Sequence, residues 1–450
     1  DRGAVRIVSP SYWCQLALLG GEAADEGVLI EVEGERIASV EVDVAAPSEA
    51  TRLDGLTIPG LANAHSHAFQ RALRGRTHRG RGDFWAWREA MYELASRLDP
   101  DSYLALARAT YGEMALAGIT CVGEFHYLHH TPDGTPYADP NAMGHSLMQA
   151  AREAGIRITL IDACYLHGGI GEKLAGAQLR FGDGDAEAWA ERVMELTGNP
   201  GARIGAAIHS IRAVDPESAA TVAGWAGARE APLHAHVSEQ PAENEASRRA
   251  YGATPTAVLA DAGALDERFT GIHGTHLTDP DVRLLGRART TCCVCPTTER
   301  DLADGIATAE RFRAAGIELA LGSDSHAVID LFEETRAVEL DERLASGERG
   351  HIAASELLGA ATESGHACLG WPEAGRIEPG AIADLVTMGI DTPRLAGADR
   401  RDAADAVVFG ATAADVRSVI VSGREVVRDG AHVVLDVPAE LASAIEAVWS

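Results

Sequence analysis

The chain has 450 residues, of which 46% are hydrophobic and 24% are charged, so it can bury a large core. Its 67 acidic and 39 basic residues give a formal net charge of −28, which argues against nucleic acid as a partner because phosphate binding needs a basic face. We find no apolar run long enough to cross a bilayer and no basic-then-apolar leader, so we expect no membrane partner and a cytoplasmic enzyme.

The two ends of the chain have the same character. Residues 1–56 contain short strand-like runs broken by turn residues, as in VLIEVEGERIASVEV, and residues 375–450 contain VRSVIVSGREVVRDGAHVV. Each end is too small and too poor in core residues to fold alone. We therefore predict one small β-sandwich built jointly from both termini and packed on a central domain.

Residues 57–374 alternate strand-like runs with helical stretches, which is typical of βα units. Eight strands are predicted, in the runs TIPGLANAH, ITCVGEFH, RITLIDACY, ARIGAAIHS, PLHAHVSE, FTGIHGT, TTCCVCPTT and IELALGSDS. Several of the intervening helical stretches end at glycine, as helices often do. Eight parallel strands with helical crossovers favour the α/β class, as a closed (β/α)₈ barrel of the TIM type rather than an open sheet.

Titratable side chains fall at the carboxyl ends of most of these predicted strands. They are His65, His67, His126, His209, His236, Glu239, His273 and Asp324. One histidine at the end of a buried strand is usually structural, but the repetition is not explained in that way. Barrel enzymes build their active sites at these strand ends, so the pattern predicts an active site there.

Four of these residues form a set of metal ligands. His65 and His67 alternate along an extended strand, so both rings point to the same side and can bind one ion. His236 and Asp324, on the fifth and eighth predicted strands, complete three nitrogen ligands and one oxygen ligand. We predict one divalent ion per chain, most simply Zn²⁺ with a bound water, although the ligand types also allow Fe²⁺ or Mn²⁺.

The seven cysteines are scattered and show no pair of Cys-x-x-Cys motifs, so neither a disulfide framework nor a zinc ribbon is indicated. Cys292, Cys293 and Cys295 lie in the apolar run TTCCVC. We interpret them as packing residues of a buried strand rather than as metal ligands.

The motifs PGLANAHSH, HAHVSE, HGTH and GSDSH resemble the strand-end motifs of the amidohydrolase superfamily, in register across the chain. Binuclear members use a carboxylated lysine or an acid at the fourth strand, where this chain has AAIHS; its only lysine, Lys173, lies elsewhere. The resemblance therefore implies a mononuclear site, with Glu239 as the proton shuttle and with His273 and Asp324 beside the metal-bound water. Such water has a pKa of about 7, and a carboxylate that takes its proton can protonate a leaving nitrogen.

A second set of motifs, HSHAFQRALRG, FWAWREAMYELASRL, EFHYLHH, HSIRAV and HVSEQ, is similar to the N-formimino-L-glutamate deiminases from about Pro59 to Arg428. That family hydrolyses the formimino group to N-formyl-L-glutamate and ammonia in histidine degradation. By position, the resemblance implies a substrate-binding set of Gln70, Arg88, Tyr127, His209 and Arg212. The expected partner is a small molecule with two carboxylates, each of which an arginine can bind by a two-point contact; we also expect a homodimer.

Two segments are left with more than one interpretation. The arginines that follow the first metal motif are Arg71, Arg74, Arg76, Arg79, Arg81 and Arg88. They are either a basic funnel for a dianion or, for most of them, a solvated loop.

In PTTERDLADG, after the seventh predicted strand, no role is assigned to Glu299, Arg300 or Asp301; a loop ion pair and a pocket-lining segment are both open.

Two other functions are also open. The first is the deamination of a heterocycle such as guanine, cytosine or an adenosine derivative, which would favour aromatic stacking over paired arginines. The second is a non-catalytic barrel, which would be expected to have lost some of the metal-binding and catalytic residues. All of the predicted residues are present: His65, His67, His236, Glu239, His273 and Asp324.

Overall fold

A computed structural model describes residues 10–77 and 84–450, with the side chains of residues 84–86 left out of the description. The strands of these residues form two sheets of eight. Within the same residues, no helix combines the length and the apolar character needed to cross a bilayer.

The first sheet is built from both ends of the chain. Its strands, numbered in chain order, are β1 (Ser11–Ala17), β2 (Asp25–Glu33), β3 (Arg36–Glu41), β4 (Thr51–Pro59), β13 (Leu385–Met388), β14 (Val416–Val421), β15 (Arg424–Arg428) and β16 (Ala431–His432). The two ends meet where β13 pairs antiparallel with β4, with Leu385 opposite Pro59. Residues from both ends share one apolar core, in which Ile30 packs with Leu385. The predicted joint β domain is confirmed, with its strands hydrogen bonded in the continuous order β16-β15-β14-β13-β4-β1-β2-β3.

The second sheet is the barrel. Its strands are β5 (Leu61–Ser66), β6 (Ile119–His126), β7 (Arg157–Cys164), β8 (Ala202–Ile208), β9 (Leu233–Val237), β10 (Phe269–His273), β11 (Thr291–Val294) and β12 (Glu318–Leu321). They lie side by side in chain order, and all neighbours are parallel. The barrel closes where the Asp324 amide donates to the His65 carbonyl at 3.0 Å and the His67 amide donates to the Asp324 carbonyl at 3.2 Å. Each of the eight predicted strands is present, and the (β/α)₈ barrel is confirmed.

The first ten helices of the described residues lie between successive barrel strands, and the last five follow the last barrel strand, β12. They are α1 (Phe84–Ser96), α2 (Pro100–Leu116), α3 (Ala142–Ala154), α4 (Ala186–Met194), α5 (Pro216–Ala228), α6 (Pro241–Tyr251), α7 (Pro255–Asp261), α8 (Asp279–Arg287), α9 (Pro296–Asp301), α10 (Ala309–Ala314), α11 (Leu331–Ser346), α12 (Ala354–Ala361), α13 (Glu363–Cys368), α14 (Ala403–Gly410) and α15 (Val437–Trp449). Short 3₁₀ turns cover Ala68–Leu73, Gly176–Phe181, Arg400–Asp402 and Ala413–Asp415. Helix α3 ends at Gly155, whose φ of 76° is a left-handed conformation that glycine adopts without strain.

The chain passes from one sheet to the other at Gly60, between β4 and β5. A Cβ atom at this position would lie against the Thr120 side chain and 2.7 Å from the Cβ of Asp384. Glycine is therefore required at this crossing, where a Cβ would collide with side chains from both sides.

The cysteines are buried and none forms a disulfide among the described residues, which contain all seven. Cys293 and Cys295 pack in an apolar cluster with Cys121 and Cys368. This arrangement agrees with their interpretation as packing residues.

Candidate active site at the carboxyl end of the barrel

The predicted metal ligands converge inside the mouth of the barrel. His65 Nε2 lies 3.2 Å from Asp324 Oδ1, and His67 Nε2 lies 3.4 Å from the same oxygen. One ring nitrogen from each of His65, His67 and His236 lies within 4.8 Å of the others, as do ligand atoms of His65, His273 and Asp324. Residues from four different strands are thus brought together as the sequence predicted.

The hydrogen bonds of the histidines fit a metal ion at their centre. His67 Nδ1 lies 2.9 Å from the Phe125 carbonyl, and His236 Nδ1 lies 2.8 Å from the His209 carbonyl. A ring that donates from Nδ1 to a carbonyl keeps the Nε2 lone pair for a metal. His65 is completely buried, and neither of its ring nitrogens forms a hydrogen bond with a described residue. A cation bound to the ring would account for a buried imidazole that lacks hydrogen-bond partners.

The protonation states also suit a cation. Burial lowers the pKa of His65 to about 3, and it lowers the pKa values of His67 and His236 as well. Burial opposes the ionisation of Asp324, but contacts with His65 and His273 hold the pKa of its carboxyl well below its usual range. Neutral imidazole and ionised carboxylate are the forms that bind metals.

The strand ends around the site have unusual backbone conformations. Ser238, His273 and Asp324 have φ values of 52°, 69° and 42°, although none of them is glycine. Such conformations cost free energy and are concentrated at functional sites. They place Glu239 beside the ligands, with its Oε1 3.8 Å from His273 Nε2, which is itself 3.9 Å from Asp324 Oδ2.

Glu299 is a buried residue to which the sequence assigned no role. Its Oε1 lies 3.2 Å from His273 Nδ1, on the side of the ring opposite to Glu239. Burial opposes the charged form of His273, but the hydrogen bond with Glu299 and the charges of Glu239 and Asp324 raise its pKa to about 10. The one signal in the sequence was the position of Glu299 just after a predicted barrel strand.

The two residues that follow Glu299 in the sequence are Arg300 and Asp301. Arg300 pairs with Glu333 on α11 at 2.9 Å, and the side chains are 45% and 36% exposed, so this ion pair joins two helices at the surface. Asp301 is the last residue of α9. Glu299 therefore reaches the site through its contact with His273, whereas Arg300 pairs with Glu333.

A cavity of about 640 Å³ opens over the metal ligands. The whole predicted substrate-binding set lines this cavity, together with Glu239, His273 and Asp324: Gln70, Arg88, Tyr127, His209 and Arg212. Gln70 Nε2 donates to the Tyr127 hydroxyl at 3.2 Å. The structure thus brings together all of the site residues predicted from the sequence.

His126, another histidine at a strand end, does not line this cavity. The preceding residue, Phe125, packs against His236 with 4.5 Å between ring centroids, so it points into the barrel. Because neighbouring strand residues point in opposite directions, His126 points outwards and packs against His129 at 4.8 Å.

The arginines that follow the first metal motif have different surroundings. Arg71 and Arg74 both pair with Glu113, each at 2.6 Å. Arg79 and Arg81 lie outside the described residues. Within the described part of this stretch, Arg88 alone lines the cavity. Arg71 and Arg74 fit neither interpretation, because they lie outside the cavity and their ion-paired side chains are only 14% and 27% exposed.

Arg88 is held by residues that the sequence analysis did not single out. Its Nε donates to the hydroxyl of Tyr92, one helical turn further along α1, and its Nη2 donates to the Gly168 carbonyl at 3.4 Å. Gln178 Nε2 also donates to the Tyr92 hydroxyl, at 3.1 Å. The spacing of four residues in a helix was the available signal for Tyr92.

Arg212 contacts two acids. Its Nη2 lies 3.3 Å from Glu239 Oε2, and its Nε lies 4.0 Å from Glu243 Oε1. Glu243, in the first turn of α6, also accepts a hydrogen bond from the Glu239 amide at 3.1 Å. Burial raises the pKa of Glu243 to about 6, against the opposing effect of Arg212. Sequence reasoning missed this acid, although it lies four residues after Glu239.

Comparisons with known proteins agree with this geometry. Residues 56–426 match the Amidohydrolase family. The formimidoylglutamate deiminase of Pseudomonas aeruginosa is 36% identical over 443 residues, which cover 95% of each chain. The crystal structure of an amidohydrolase from Brucella melitensis has a TM-score of 0.89 at 34% identity, covering 98% of this chain and 100% of that one. An adenosine deaminase from Xanthomonas campestris with bound zinc has a TM-score of 0.82 at 20% identity, covering 98% and 97%, and shares the fold.

Proposed function

The chain belongs to the amidohydrolase family, and we propose that it hydrolyses N-formimino-L-glutamate to N-formyl-L-glutamate and ammonia. Its similarity to a formimidoylglutamate deiminase over nearly the whole chain supports a hydrolase acting on a C–N bond. The observation that carries the choice of substrate is a single cavity whose lining includes the metal ligands His67, His236 and Asp324. Glu239, Arg88 and Arg212 line the same cavity. The net charge of −28 supports a small-molecule substrate rather than a nucleic acid.

We propose Zn²⁺ as the resident ion, held by His65, His67, His236 and Asp324. Three imidazoles and a carboxylate are a common donor set for catalytic zinc, and the adenosine deaminase with the same fold contains zinc. The bound ion would lower the pKa of a water molecule to about 7 and so supply the nucleophile at neutral pH.

Glu239 is proposed to transfer the proton. Its carboxylate lies at the mouth of the barrel beside His273, where it can take a proton from the attacking water and pass it to the leaving nitrogen. His273 Nε2, which faces both Glu239 and Asp324, is placed to hydrogen bond to the oxygen that adds to the formimino carbon.

The substrate carries two carboxylates and a cationic formimino end. We assign one carboxylate to Arg88 and the other to Arg212, because a guanidinium binds a carboxylate by two parallel hydrogen bonds. Arg212 already contacts Glu239, so a substrate bound there would lie directly beside the proposed proton carrier. Gln70, Tyr127 and His209 are assigned to the remaining polar contacts of the substrate, and the reaction would serve histidine degradation.

A second candidate function is deamination of a heterocycle. The cavity has an aromatic side, where the rings of Tyr165 and His209 lie 4.3 Å apart and those of Tyr127 and His209 lie 5.5 Å apart. Such a surface could stack on a planar base. A neutral base, however, offers no carboxylate for Arg88 and Arg212 to bind, although both arginines line the cavity.

Release of ammonia from formiminoglutamate, formiminoaspartate and guanine distinguishes these functions. The proposal predicts turnover of formiminoglutamate that falls in Arg88→Met at unchanged metal content. Turnover of guanine that is insensitive to this substitution would establish the second candidate and would contradict the first.

A further inference from the structure

The segment after β11 carries a buried acid that the proposed reaction does not use. Glu299 lies in α9, and its side chain is only 4% exposed. Its Oε1 accepts two hydrogen bonds, one from the Cys295 amide at 2.8 Å and one from His273 Nδ1 at 3.2 Å. Its own amide donates to the Cys295 carbonyl at 2.9 Å, so the first turn of α9 holds the carboxylate in place.

The two nitrogens of the His273 ring have different surroundings. Nδ1 faces Glu299, whereas Nε2 lies 3.8 Å from Glu239 and 3.9 Å from Asp324. A carboxylate can only accept hydrogen bonds, so Glu299 requires a proton on Nδ1. The acceptor on one ring nitrogen thereby decides which nitrogen is presented to the reacting groups.

We propose that Glu299 is a positioning residue: by accepting from His273 Nδ1, it fixes the ring with Nε2 towards Glu239 and Asp324. Glutamine at this position could accept from Nδ1–H or donate to an unprotonated Nδ1, so it would no longer impose one form of the ring. The expected effect on kcat rests on the proposed function, whereas the orientation of the His273 ring does not.

Glu334 on α11 provides a matched control. It is also buried, and its two carboxylate oxygens accept hydrogen bonds from the amide and the hydroxyl of Thr297 in the same helix α9. It forms no hydrogen bond or ion pair with His273, and both of these residues lie in the described part of the chain. If Glu299 served only to hold α9, then Glu299→Gln and Glu334→Gln would have the same effects.

The first test needs no substrate. Zinc-loaded protein is labelled with ¹⁵N-histidine, and the His273 resonances are assigned by their loss in His273→Asn. We expect a protonated Nδ1 in the wild type and in Glu334→Gln, and more than one ring form in Glu299→Gln. An unprotonated Nδ1 in the wild type, or a Glu299→Gln spectrum equal to that of the wild type, would overturn the proposal.

The second test is kinetic, with formiminoglutamate as substrate. Glu299→Gln should lower kcat by about 10- to 100-fold at unchanged zinc content, with little change in KM. Glu334→Gln should keep kcat, and the effect of Glu299→Gln should vanish when His273 is already Asn, because the two residues act as one unit. Equal losses in the two glutamine variants, or an undiminished loss in the His273→Asn background, would contradict the proposal. If the wild type does not hydrolyse formiminoglutamate, the proposed function fails, and the ¹⁵N comparison still decides the role of Glu299.

Discussion

Replacement of Arg212 by methionine would leave two buried acids without their shared cation. Arg212 lies 3.3 Å from Glu239 and 4.0 Å from Glu243, and the side chains of the three residues are 19%, 8% and 1% exposed. Methionine keeps much of the aliphatic volume of arginine, so the substitution removes the charge with little loss of packing.

The magnitude follows from the burial of these groups. Removing one partner of a buried ion pair costs about 3–5 kcal/mol, because an unpaired charge is left behind. We expect about 3 kcal/mol here, at the lower end of that range, because Arg212 is partly exposed and its contact with Glu243 is long.

The loss should depend on pH, because Glu243 can escape the penalty by taking up a proton. Burial already raises its pKa from 4.5 to about 6 in the folded protein, and the loss of Arg212 raises it further. An acid whose pKa is raised on folding is protonated in both states below its unfolded pKa, so it costs no stability there. Above its folded pKa the acid is ionised in both states, and the cost of burying its charge is complete. The stability deficit of Arg212→Met is therefore smallest near pH 4.5 and grows as the pH rises through 6 and beyond.

Urea unfolding of the zinc-loaded protein at about pH 5 and about pH 8 measures this deficit. The control is Arg300→Met, which removes an ion pair with Glu333 whose side chains are 45% and 36% exposed. Exposed pairs contribute about 0–1 kcal/mol, so this variant should stay close to the wild type. The reasoning is refuted if Arg212→Met loses no more free energy of unfolding at the higher pH than the control, or if its deficit shrinks as the pH rises.

Three further predictions concern the reaction itself. Arg88→Met should lower kcat/KM for formiminoglutamate by about 30- to 150-fold, that is about 2–3 kcal/mol. Arg88→Lys should recover only part of the lost kcat/KM, because an ammonium cannot make the planar two-point contact. Equal loss in the two variants would exclude such a contact. Glu239→Gln should keep the fold and the metal while kcat in the ammonia assay falls about 100-fold or more, whereas near-normal turnover would remove Glu239 from the proton transfer. His236→Ala should lose the roughly one divalent ion per chain found by elemental analysis, and two equivalents in active wild type would contradict a mononuclear site.

The barrel and the convergence of the predicted site could be derived from the sequence alone. Strand-like runs with polar side chains at their carboxyl ends specify which residues meet, because parallel barrel strands all end at one face. The alternation of His65, in β5, and His67, just after it, also predicts that both rings point the same way. For these residues, local periodicity and the topology of the fold are sufficient.

Alternation does not specify which of two neighbouring residues points inwards, and His126 shows the consequence. It ends β6 as other site residues end their strands, but Phe125 occupies the interior and His126 faces outwards. The sequence pattern is the same for both orientations. The tertiary packing of β6 against its neighbours decides between them.

The partners of the site residues were likewise decided only by the tertiary structure. Glu299 reaches His273 from a different strand connection, and Arg212 meets Glu239 and Glu243 across the mouth of the barrel. These contacts join segments that are distant in the chain, and no local propensity encodes the distance or angle between two side chains. The sequence determined which groups are present at the site; the closure of the barrel determined which of them touch, and therefore which charges and protons they share.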